Sequence, residues 1–271
     1  QAKTALKGFN FEVKEGEIFG LLGPSGAGKS TTQKILIGLL KGYRGSVKVN
    51  GKELASYGRE YAEMIGVAFE MPNFYIKMTA YENLTFFRSL YRSEGEDIEK
   101  LLERVGLKEA MHQRVGDFSK GMKMRLNFCR AFLHRPFIVF LDEPTSGLDP
   151  VNVTKIKTFL REQKEQGKTI IITTHDMAFA ENLCDRVAFM VDGDIALIDS
   201  PQALKVKMGE PVLQVTYSDN GEMKTTEFVQ AGLGKNKAFL RLLQEKEIVT
   251  MHTKEATLED IFVRVTGREI A

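Results

Sequence analysis

Short runs of apolar residues alternate along the chain with longer segments in which apolar residues recur every three or four positions. A short continuous apolar run is typical of a strand buried on both faces, whereas the longer period predicts a helix with one buried face. The predicted buried strands are 17–22, 65–69, 137–141 and 169–173, and further strands are predicted at 9–13, 45–49, 186–191 and 194–198. The predicted helices among them are 29–40, 122–133 and 150–166. This alternation predicts an α/β fold with a parallel sheet.

A helical insertion and a second small unit interrupt the alternation. Between residues 73 and 135 the apolar period is largely helical, which predicts a helical subdomain placed between two strands. Beyond about residue 208, short strands and amphipathic helices predict a compact α+β unit. We therefore expect one domain over 1–208 and a second over 209–271. The second contains no chemical constellation, and a packing or dimerisation role is the simplest interpretation.

The strand at 17–22 leads directly into GPSGAGKS, residues 23–30, and then into a helix. This sequence fits the pattern G-x-x-x-x-G-K-[ST], in which glycines let successive N–H groups curl around a phosphate and the lysine bridges phosphate oxygens. Ser30 can offer its hydroxyl to Mg²⁺. A plain glycine turn is the alternative, but strand, loop and helix occur in the order that phosphate binding requires. The motif alone predicts a P-loop NTPase.

Polar side chains follow three of the predicted buried strands. Glu70 follows the second, Asp142 and Glu143 follow the third, and His175 follows the fourth. The carboxyl ends of parallel strands meet at one edge of the sheet, where open α/β folds bind ligands. A lone histidine after a strand is usually structural, but the location of His175 at this edge favours a catalytic role.

The start of the helix at 122–133 is a second candidate for anion binding. Ser119 stands where the N-cap belongs, so backbone N–H groups near Ser119 and Gly121 have no helical acceptor. A helix N-terminus stabilises an exposed anion by roughly 0.3 to 1 kcal/mol, and phosphate is a natural ligand for it.

Composition argues against several classes of protein. The 271 residues are 43% hydrophobic and carry a formal net charge of +2, with basic and acidic residues interspersed, which argues against nucleic-acid binding. No apolar run approaches the ~18 residues of a membrane span. Cys129 and Cys184 lie far apart in apolar helical segments, which fits a reducing cytoplasm rather than a disulfide framework or a zinc site. Gln1 is not an initiator residue, so we expect the sequence to begin inside a longer chain.

The elements GPSGAGKS, FSKGM, FIVFLDEP, SGLD and His175, in this order, resemble the nucleotide-binding subunit of an ATP-binding cassette (ABC) transporter over about residues 1–208. The resemblance is specific, because other P-loop folds lack a signature element such as FSKGM, residues 118–122, just before the strand that ends in Leu-Asp-Glu, residues 141–143. It implies a P-loop NTPase with a RecA-like mixed sheet and a helical signature subdomain, acting as an ATPase with Mg²⁺. The SKGM signature and the tail TLEDIFVRVTGRE at 257–269 are similar to bacterial drug exporters of the daunorubicin-resistance (ABC-2) type.

The resemblance also implies roles for individual residues. The expected catalytic residues are the general base Glu143, the switch histidine His175 and Lys29. The expected metal ligands are Ser30, Asp142 and Glu70. The residues expected to contact ATP belong to the Walker A loop, the signature and the D-loop: Gly23, Pro24, Ser25, Gly26, Ala27, Gly28, Lys29, Ser30, Thr31, Ser119, Gly121 and Asp149.

Three residues depart from the family pattern, one at the lid position and two in the signature. Glu70 stands where the family has its lid glutamine; a carboxylate accepts hydrogen bonds but donates none, and it adds negative charge near the γ-phosphate. We expect this exchange to alter the hydrolysis rate and the metal affinity. In the signature, Lys120 and Met122 replace the usual Gly and Gln, while Ser119 and Gly121 are retained.

The resemblance implies two kinds of partner. ATP on the Walker A loop of one subunit is expected to be covered by the Ser119 helix end of a second, giving a homodimer or a pseudo-dimer with a paralogue. An integral membrane permease on a separate chain is expected to receive the work through the turn at 74–79, with this subunit peripheral on the cytoplasmic face of the membrane. No nucleic-acid partner is expected.

Two other functions stay open at this point. A soluble cassette ATPase acting on ribosomes or chromosomes would carry two cassettes or long coiled coils between the motifs, and this sequence has neither. A nucleotide-gated regulatory module with negligible hydrolysis is the second alternative, and Glu70 at the lid position is the residue that motivates it. The transported substrate cannot be read from the sequence, because a peripheral ATPase does not have to touch it.

Overall fold

The computed structural model describes residues 5–268, which form two compact units. The first unit ends at Ile198 and the second begins at Asp199. This division precedes a helix at Pro201–Met208, whereas the sequence pattern placed the boundary after it. Each unit has its own sheet and its own apolar cluster.

The first unit is built around a parallel sheet. Its strands are β1 (Ile18–Leu22), β2 (Lys48–Val49), β3 (Lys52–Glu53), β4 (Ile65–Ala68), β5 (Ile138–Asp142), β6 (Thr169–Thr174), β7 (Arg186–Val191) and β8 (Asp194–Asp199). β2 and β3 form a separate pair, and the other six lie in the order β4-β5-β6-β1-β7-β8. The pairs from β4 to β7 are parallel, which confirms the predicted parallel sheet. β8 follows β7 through Asp192-Gly193, whose positive φ angles fit a type I′ turn.

The register of three central strands determines where their ends lie. Leu21 of β1 and Asp142 of β5 are both paired with Thr173 of β6. The loop after β1, the carboxylates at the end of β5 and the residue after β6 therefore meet at one edge of the sheet.

Helices surround this sheet, and several begin at side-chain caps. They are α1 (Lys29–Leu36), α2 (Glu60–Met64), α3 (Ala80–Arg88), α4 (Ile98–Arg104), α5 (Lys120–Phe132), α6 (Pro150–Glu165) and α7 (Met177–Glu181). Thr79 forms a capping box with Glu82 at α3, and Ser119 and Asp149 accept backbone N–H groups at the starts of α5 and α6. Caps of this kind stabilise a helix by about 1 kcal/mol, so the local sequence determines these starts.

Three predicted elements differ from the structure. The strand predicted at 45–49 is shorter, since only Lys48–Val49 is paired. The strand predicted at 9–13 is wrong: these residues have no strand pairing, and Phe11 and Val13 place their side chains against the sheet core instead. Alternate residues of this loop pack inward, so its sequence shows the same alternation of apolar and polar residues as a strand. The helix after the phosphate loop is shorter than predicted and ends at Leu36, because Gly38 has a φ of 77° that a right-handed helix cannot continue.

An aromatic cluster anchors α5 to α6. Phe128 and Phe132 of α5 and Phe159 of α6 are all nearly fully buried. Their ring centroids lie 4.9 to 5.1 Å apart, and both contacts with Phe159 are edge-to-face. Pairs of this geometry contribute roughly 0.5 to 1.5 kcal/mol beyond the area that they bury. The cluster therefore fixes the position of α5, whose first residues are the predicted signature.

The second unit contains three helices and an antiparallel sheet. The helices are α8 (Pro201–Met208), α9 (Lys237–Glu245) and α10 (Leu258–Thr266), and the strands are β9 (Val212–Asp219), β10 (Glu222–Val229) and β11 (Glu247–Lys254). The sheet has the order β10-β9-β11, and α9 packs on it through a cluster of Val215, Phe228 and Phe239. Across residues 5–268, the helices all lack the combination of length and apolar character that a bilayer span requires.

We expect Phe128→Ala to lower the free energy of unfolding by roughly 3 to 5 kcal/mol, because it leaves a cavity beside two other rings. Phe137→Ala is the matched control, since that ring is 73% exposed and its loss should change the free energy by less than about 0.5 kcal/mol. Urea denaturation of both variants measures the difference. Equal losses in the two variants would show that the aromatic cluster does not stabilise the fold.

Candidate functional site

The phosphate loop, residues 23–30, connects β1 to α1 and requires glycine at two positions. A Cβ on Gly23 would lie 2.1 Å from the backbone oxygen of Met190. A Cβ on Gly28 would lie 2.8 Å from Cδ2 of Leu6, and Gly28 also has a φ of 109°. The loop can approach its neighbours this closely only because these residues lack side chains.

The tip of the loop is open to solvent. Ser25 and Gly26 are exposed, Pro24, Ser30 and Thr31 are half-buried, and Ala27 is buried. A phosphate group can therefore approach the backbone of the tip from solvent, as the glycine cradle of the predicted ATP site requires.

Lys29 is buried within this loop. Its Nζ donates a hydrogen bond to the backbone oxygen of Gly23 at 2.6 Å. Burial lowers the pKa of the amine, and the negative charges of three nearby carboxylates act in the opposite direction: those of Glu143, Asp142 and Glu70. The lysine is therefore a partly desolvated cation that faces the acidic edge of the sheet.

Asp142 ends β5 and is 8% exposed. Its Oδ1 accepts a hydrogen bond from the hydroxyl of Thr173 and lies 3.5 Å from Oγ of Ser30. A carboxylate oxygen and a hydroxyl oxygen thus converge in front of the phosphate loop. Oxygen ligands of this kind suit Mg²⁺, which usually keeps waters and phosphate oxygens as its other ligands. The residues present therefore fit a magnesium–nucleotide complex.

Glu143 is held in an unusual backbone conformation. Its φ is 46°, in the left-handed region, which costs roughly 1 to 2 kcal/mol in a residue with a side chain. The buried carboxylate accepts three hydrogen bonds, from Oγ1 of Thr174 at 2.8 Å, from the backbone N–H of His175 at 3.1 Å and from Nδ1 of His175 at 2.8 Å. Backbone strain of this kind is characteristic of functional sites.

The same contact fixes the ring of His175, whose side chain is 53% exposed. Because a carboxylate only accepts hydrogen bonds, Nδ1 carries the hydrogen toward Glu143. Nε2 has no partner among the described residues and is available to a ligand.

Glu70 lies just beyond β4 and is exposed. Its side chain forms no hydrogen bond or ion pair with another residue of the described chain. Burial lowers the pKa of Lys29, and the charge of Glu70 opposes this lowering together with the charges of Glu143 and Asp142. Glu70 is thus part of the acidic edge, with a carboxylate free to accept a ligand.

The predicted signature residues lie at the start of α5, packed against the loop that precedes α6. Oγ of Ser119 accepts a backbone N–H of the first turn at 3.2 Å. Gly121 approaches that loop so closely that a Cβ on it would lie 3.2 Å from the backbone oxygen of Gly147. Asp149 caps α6, and the hydrogen bonds that it accepts, first those from Asn152, lower the pKa of its carboxyl group. The signature and the D-loop therefore form one surface.

The sheet edge brings together the phosphate loop, Lys29, Asp142, Glu143 and His175, as their positions after neighbouring strands predict. Within residues 5–268, neither Ser119 nor Gly121 forms a hydrogen bond with the phosphate loop. Within the described chain, the two candidate anion sites therefore have no direct hydrogen bond between them.

Sequence reasoning missed Thr173 and Thr174, whose hydroxyls hold the two carboxylates at the end of β5. Their position was a signal that could have found them. Two threonines directly before a candidate histidine, at the end of a predicted strand, place hydroxyl groups at the same edge as the acids.

A groove with aromatic walls lies between β4 and the helical insertion. Its volume is about 650 Å³, and its lining includes Phe69, Phe74, Tyr75 and Phe87. Tyr75 packs edge-to-face on Phe86, with the ring centroids 5.1 Å apart. The predicted contact turn at 74–79 forms one border of this groove, so the residues named from the sequence flank a concave surface.

Comparison with known proteins extends these observations. The chain matches the family model of ABC transporters over residues 6–146, and that of the fluoroquinolone efflux ABC transporter C-terminal domain over residues 212–255. A fluoroquinolones export ATP-binding protein of Mycobacterium tuberculosis is 53% identical over 270 residues, which covers 99% of this chain and 90% of the relative.

Two solved structures share the fold of the first unit. An ATP-binding subunit of an ABC transporter matches with a TM-score of 0.68 and 32% identity, covering 75% of this chain and 86% of the other. A dimeric ATP-binding cassette in a post-hydrolysis state, bound to ADP and Pi, matches with a TM-score of 0.66 and 28% identity, covering 72% of this chain and 90% of the other.

These matches confirm the predicted fold class and the resemblance drawn from the sequence motifs. The matched segment includes the phosphate loop, the signature and the two carboxylates at the end of β5. The mycobacterial relative is similar along nearly the whole chain. The chain therefore belongs to the ABC transporter family, in which it is an ATP-binding subunit.

Proposed function

We propose that this subunit drives the export of fluoroquinolone-type drugs, working as an ATP-bound dimer on a separate membrane subunit. The drug class is supported by the 53% identity with the mycobacterial export protein and by the C-terminal family match. ATP hydrolysis is supported by one observation: Glu143 is buried, has a strained backbone and is held by three hydrogen bonds at the sheet edge that contains Lys29.

Binding begins at Lys29. In the proposed complex its amine exchanges the backbone oxygen of Gly23 for oxygens of the β- and γ-phosphates, an interaction strengthened by its partial desolvation. Ser30, Asp142 and Glu70 would hold Mg²⁺, which would neutralise part of the phosphate charge. Lys29 then offsets part of the negative charge that the three carboxylates bring to the site.

Glu143 acts as the general base. Its carboxylate takes a proton from water as the water oxygen bonds to the γ-phosphorus and the bond from that phosphorus to ADP breaks. Thr174 and His175 keep the carboxylate in place through their hydrogen bonds. In the proposed complex Nε2 of His175 faces the γ-phosphate, where an N–H group of the ring would stabilise the charge that develops.

A second subunit completes the site. The start of α5 offers N–H groups and the hydroxyl of Ser119, which within one chain make no hydrogen bond to the phosphate loop. In the proposed dimer, Ser119 and Gly121 of one copy cover the phosphate held by Lys29 of the other, with Asp149 beside them. The dimeric state of the related solved cassette supports this arrangement.

The conformational change that ATP drives is transmitted to a membrane subunit bound at the aromatic groove. The relative's role in export and the exposed rings beside the turn at 74–79 support this contact. We place the subunit on the cytoplasmic face of the membrane, since ATP is supplied there.

Glu143→Gln is expected to lower the turnover number at least about 100-fold while ATP binding is retained, because the amide cannot accept the proton. Steady-state phosphate release and fluorescent-nucleotide titration measure the two quantities. Glu165→Gln, at an exposed position of α6, is the matched control and should hydrolyse ATP at the normal rate. Unchanged turnover in Glu143→Gln would remove this residue from the mechanism.

Glu70→Gln separates the transporter from the regulatory alternative. The unmodified chain is expected to hydrolyse ATP steadily, and the variant to need roughly three- to tenfold more Mg²⁺ for half-maximal hydrolysis, because a neutral amide replaces one of the proposed carboxylate ligands. The regulatory alternative is considered because the carboxylate of Glu70 is exposed and has no partner within the described chain. Negligible hydrolysis by the unmodified chain, restored in the variant, would instead support a nucleotide-gated module.

A further inference from the structure

The aromatic groove contains one charged residue, Arg130 of α5. Its guanidinium lies over two rings of the groove wall, 5.1 Å from the centroid of Phe74 and 5.0 Å from that of Phe87. Within residues 5–268, no carboxylate approaches it within 4 Å. Burial lowers the pKa of Arg130, so the cation is partly desolvated where it stands. A partly buried cation without an anionic partner is uncommon, because desolvation of a charge is costly.

The hydrogen bonds of Arg130 leave it with unused donors. Nη1 donates to the backbone oxygen of Asn73 at 3.0 Å, and Nη2 donates to Oδ1 of Asn127 at 2.6 Å. A guanidinium has five N–H groups, so three have no acceptor in the described chain. The two bonds also fix the plane of the group between the rings. Arg130 is therefore a preorganised fork that can bind a planar anion.

The wall beside Arg130 is rigid as well. The side chain of Asn83, fully buried in α3, accepts the backbone N–H of Tyr75 at 3.0 Å. Its amide nitrogen donates to the backbone oxygens of Tyr75 and Thr79, at 3.0 and 2.9 Å. The contact turn is thus fixed from behind before any partner arrives. A preformed surface loses little conformational entropy when it binds.

We propose that Arg130 binds a carboxylate of the membrane subunit, and that the groove takes a short segment of that chain in which one Asp or Glu is flanked by apolar side chains. The apolar rings provide the contact area, and the single cation selects the acidic side chain. A partner that covered the groove without an anion would remove the remaining water from Arg130 and leave its charge unpaired. This pairing presupposes that the membrane subunit docks in the groove, as proposed above.

The pairing also connects the docked segment to the ATP site. Nδ2 of Asn127, whose Oδ1 contacts Arg130, donates at 2.7 Å to the backbone oxygen of Phe69. Phe69 precedes Glu70, the expected metal ligand at the acidic edge. Two hydrogen bonds therefore connect Arg130 to the backbone that carries Glu70, and the bound carboxylate would add a third.

The test uses the complex of this chain with its membrane subunit, purified in detergent. In Arg130→Lys the introduced amine occupies the same place, and a carbodiimide joins it to any carboxylate in contact, which mass spectrometry then identifies. Arg104→Lys is the matched control, because Arg104 also lies over a ring, that of Phe159, but is already paired with Glu162 of its own chain. Tyr75→Cys, at the rim of the groove, reports docking itself through a thiol crosslinker.

We expect Arg130→Lys to crosslink to an Asp or Glu of the membrane subunit, and Arg104→Lys to crosslink only within its own chain. Arg130→Gln should weaken binding to the membrane subunit in lipid nanodiscs roughly thirtyfold or more, and Arg104→Gln should leave it within about twofold. If Tyr75→Cys crosslinks to the membrane subunit but the amine of Arg130→Lys crosslinks to no carboxylate of that subunit, the proposed pairing is wrong, whereas the proposed docking is supported. If Tyr75→Cys also fails, the proposed docking falls with it.

Discussion

The parallel pairing of β6 with β1 on one side and β5 on the other is the constraint on which the site depends. Thr173 of β6 is paired with both Leu21 and Asp142, so the ends of the three strands are level. A slip of one residue would turn every side chain of a strand to the opposite face of the sheet. The carboxylate of Asp142 would then be separated from Ser30. The buried aliphatic side chains of these strands keep that register, so the core maintains the chemistry of the edge.

Charge is the second constraint, and it supports the proposal that a second chain completes the site. Lys29 is a buried cation that faces three carboxylates, so the edge is acidic before a nucleotide binds. A triphosphate adds further negative charge, which one lysine does not offset. Mg²⁺ and helix N-termini are further sources of positive potential. The start of α5 is such a terminus, and within one chain it forms no hydrogen bond to the phosphate loop. ATP-dependent pairing of two chains would bring it there.

The parts of the site that could be predicted are those determined by residues that are neighbours in the sequence. The phosphate loop, the N-caps Ser119 and Asp149 and the strand that ends at Asp142 each follow from neighbouring residues, and the structure has the corresponding elements. The 9–13 segment misled the prediction because side-chain alternation does not distinguish strand pairing from loop packing.

Contacts between distant segments could not be predicted. The hydrogen bond from Asn127 to Phe69 joins residues 58 positions apart, and the one from Arg130 to Asn73 joins residues 57 positions apart. The bond between Thr173 and Asp142 joins residues 31 positions apart and depends on the pairing of two strands that α6 separates in the sequence. No local pattern encodes such contacts, because they exist only once the sheet and the helical insertion have packed.

The structure of the Glu143→Gln chain with Mg²⁺ and ATP tests the central claim most directly. We expect two copies in that complex, with the hydroxyl of Ser119 and the N–H of Gly121 from one copy on the γ-phosphate held by Lys29 of the other. A single chain with bound nucleotide, in which the start of α5 faces solvent, would contradict the account.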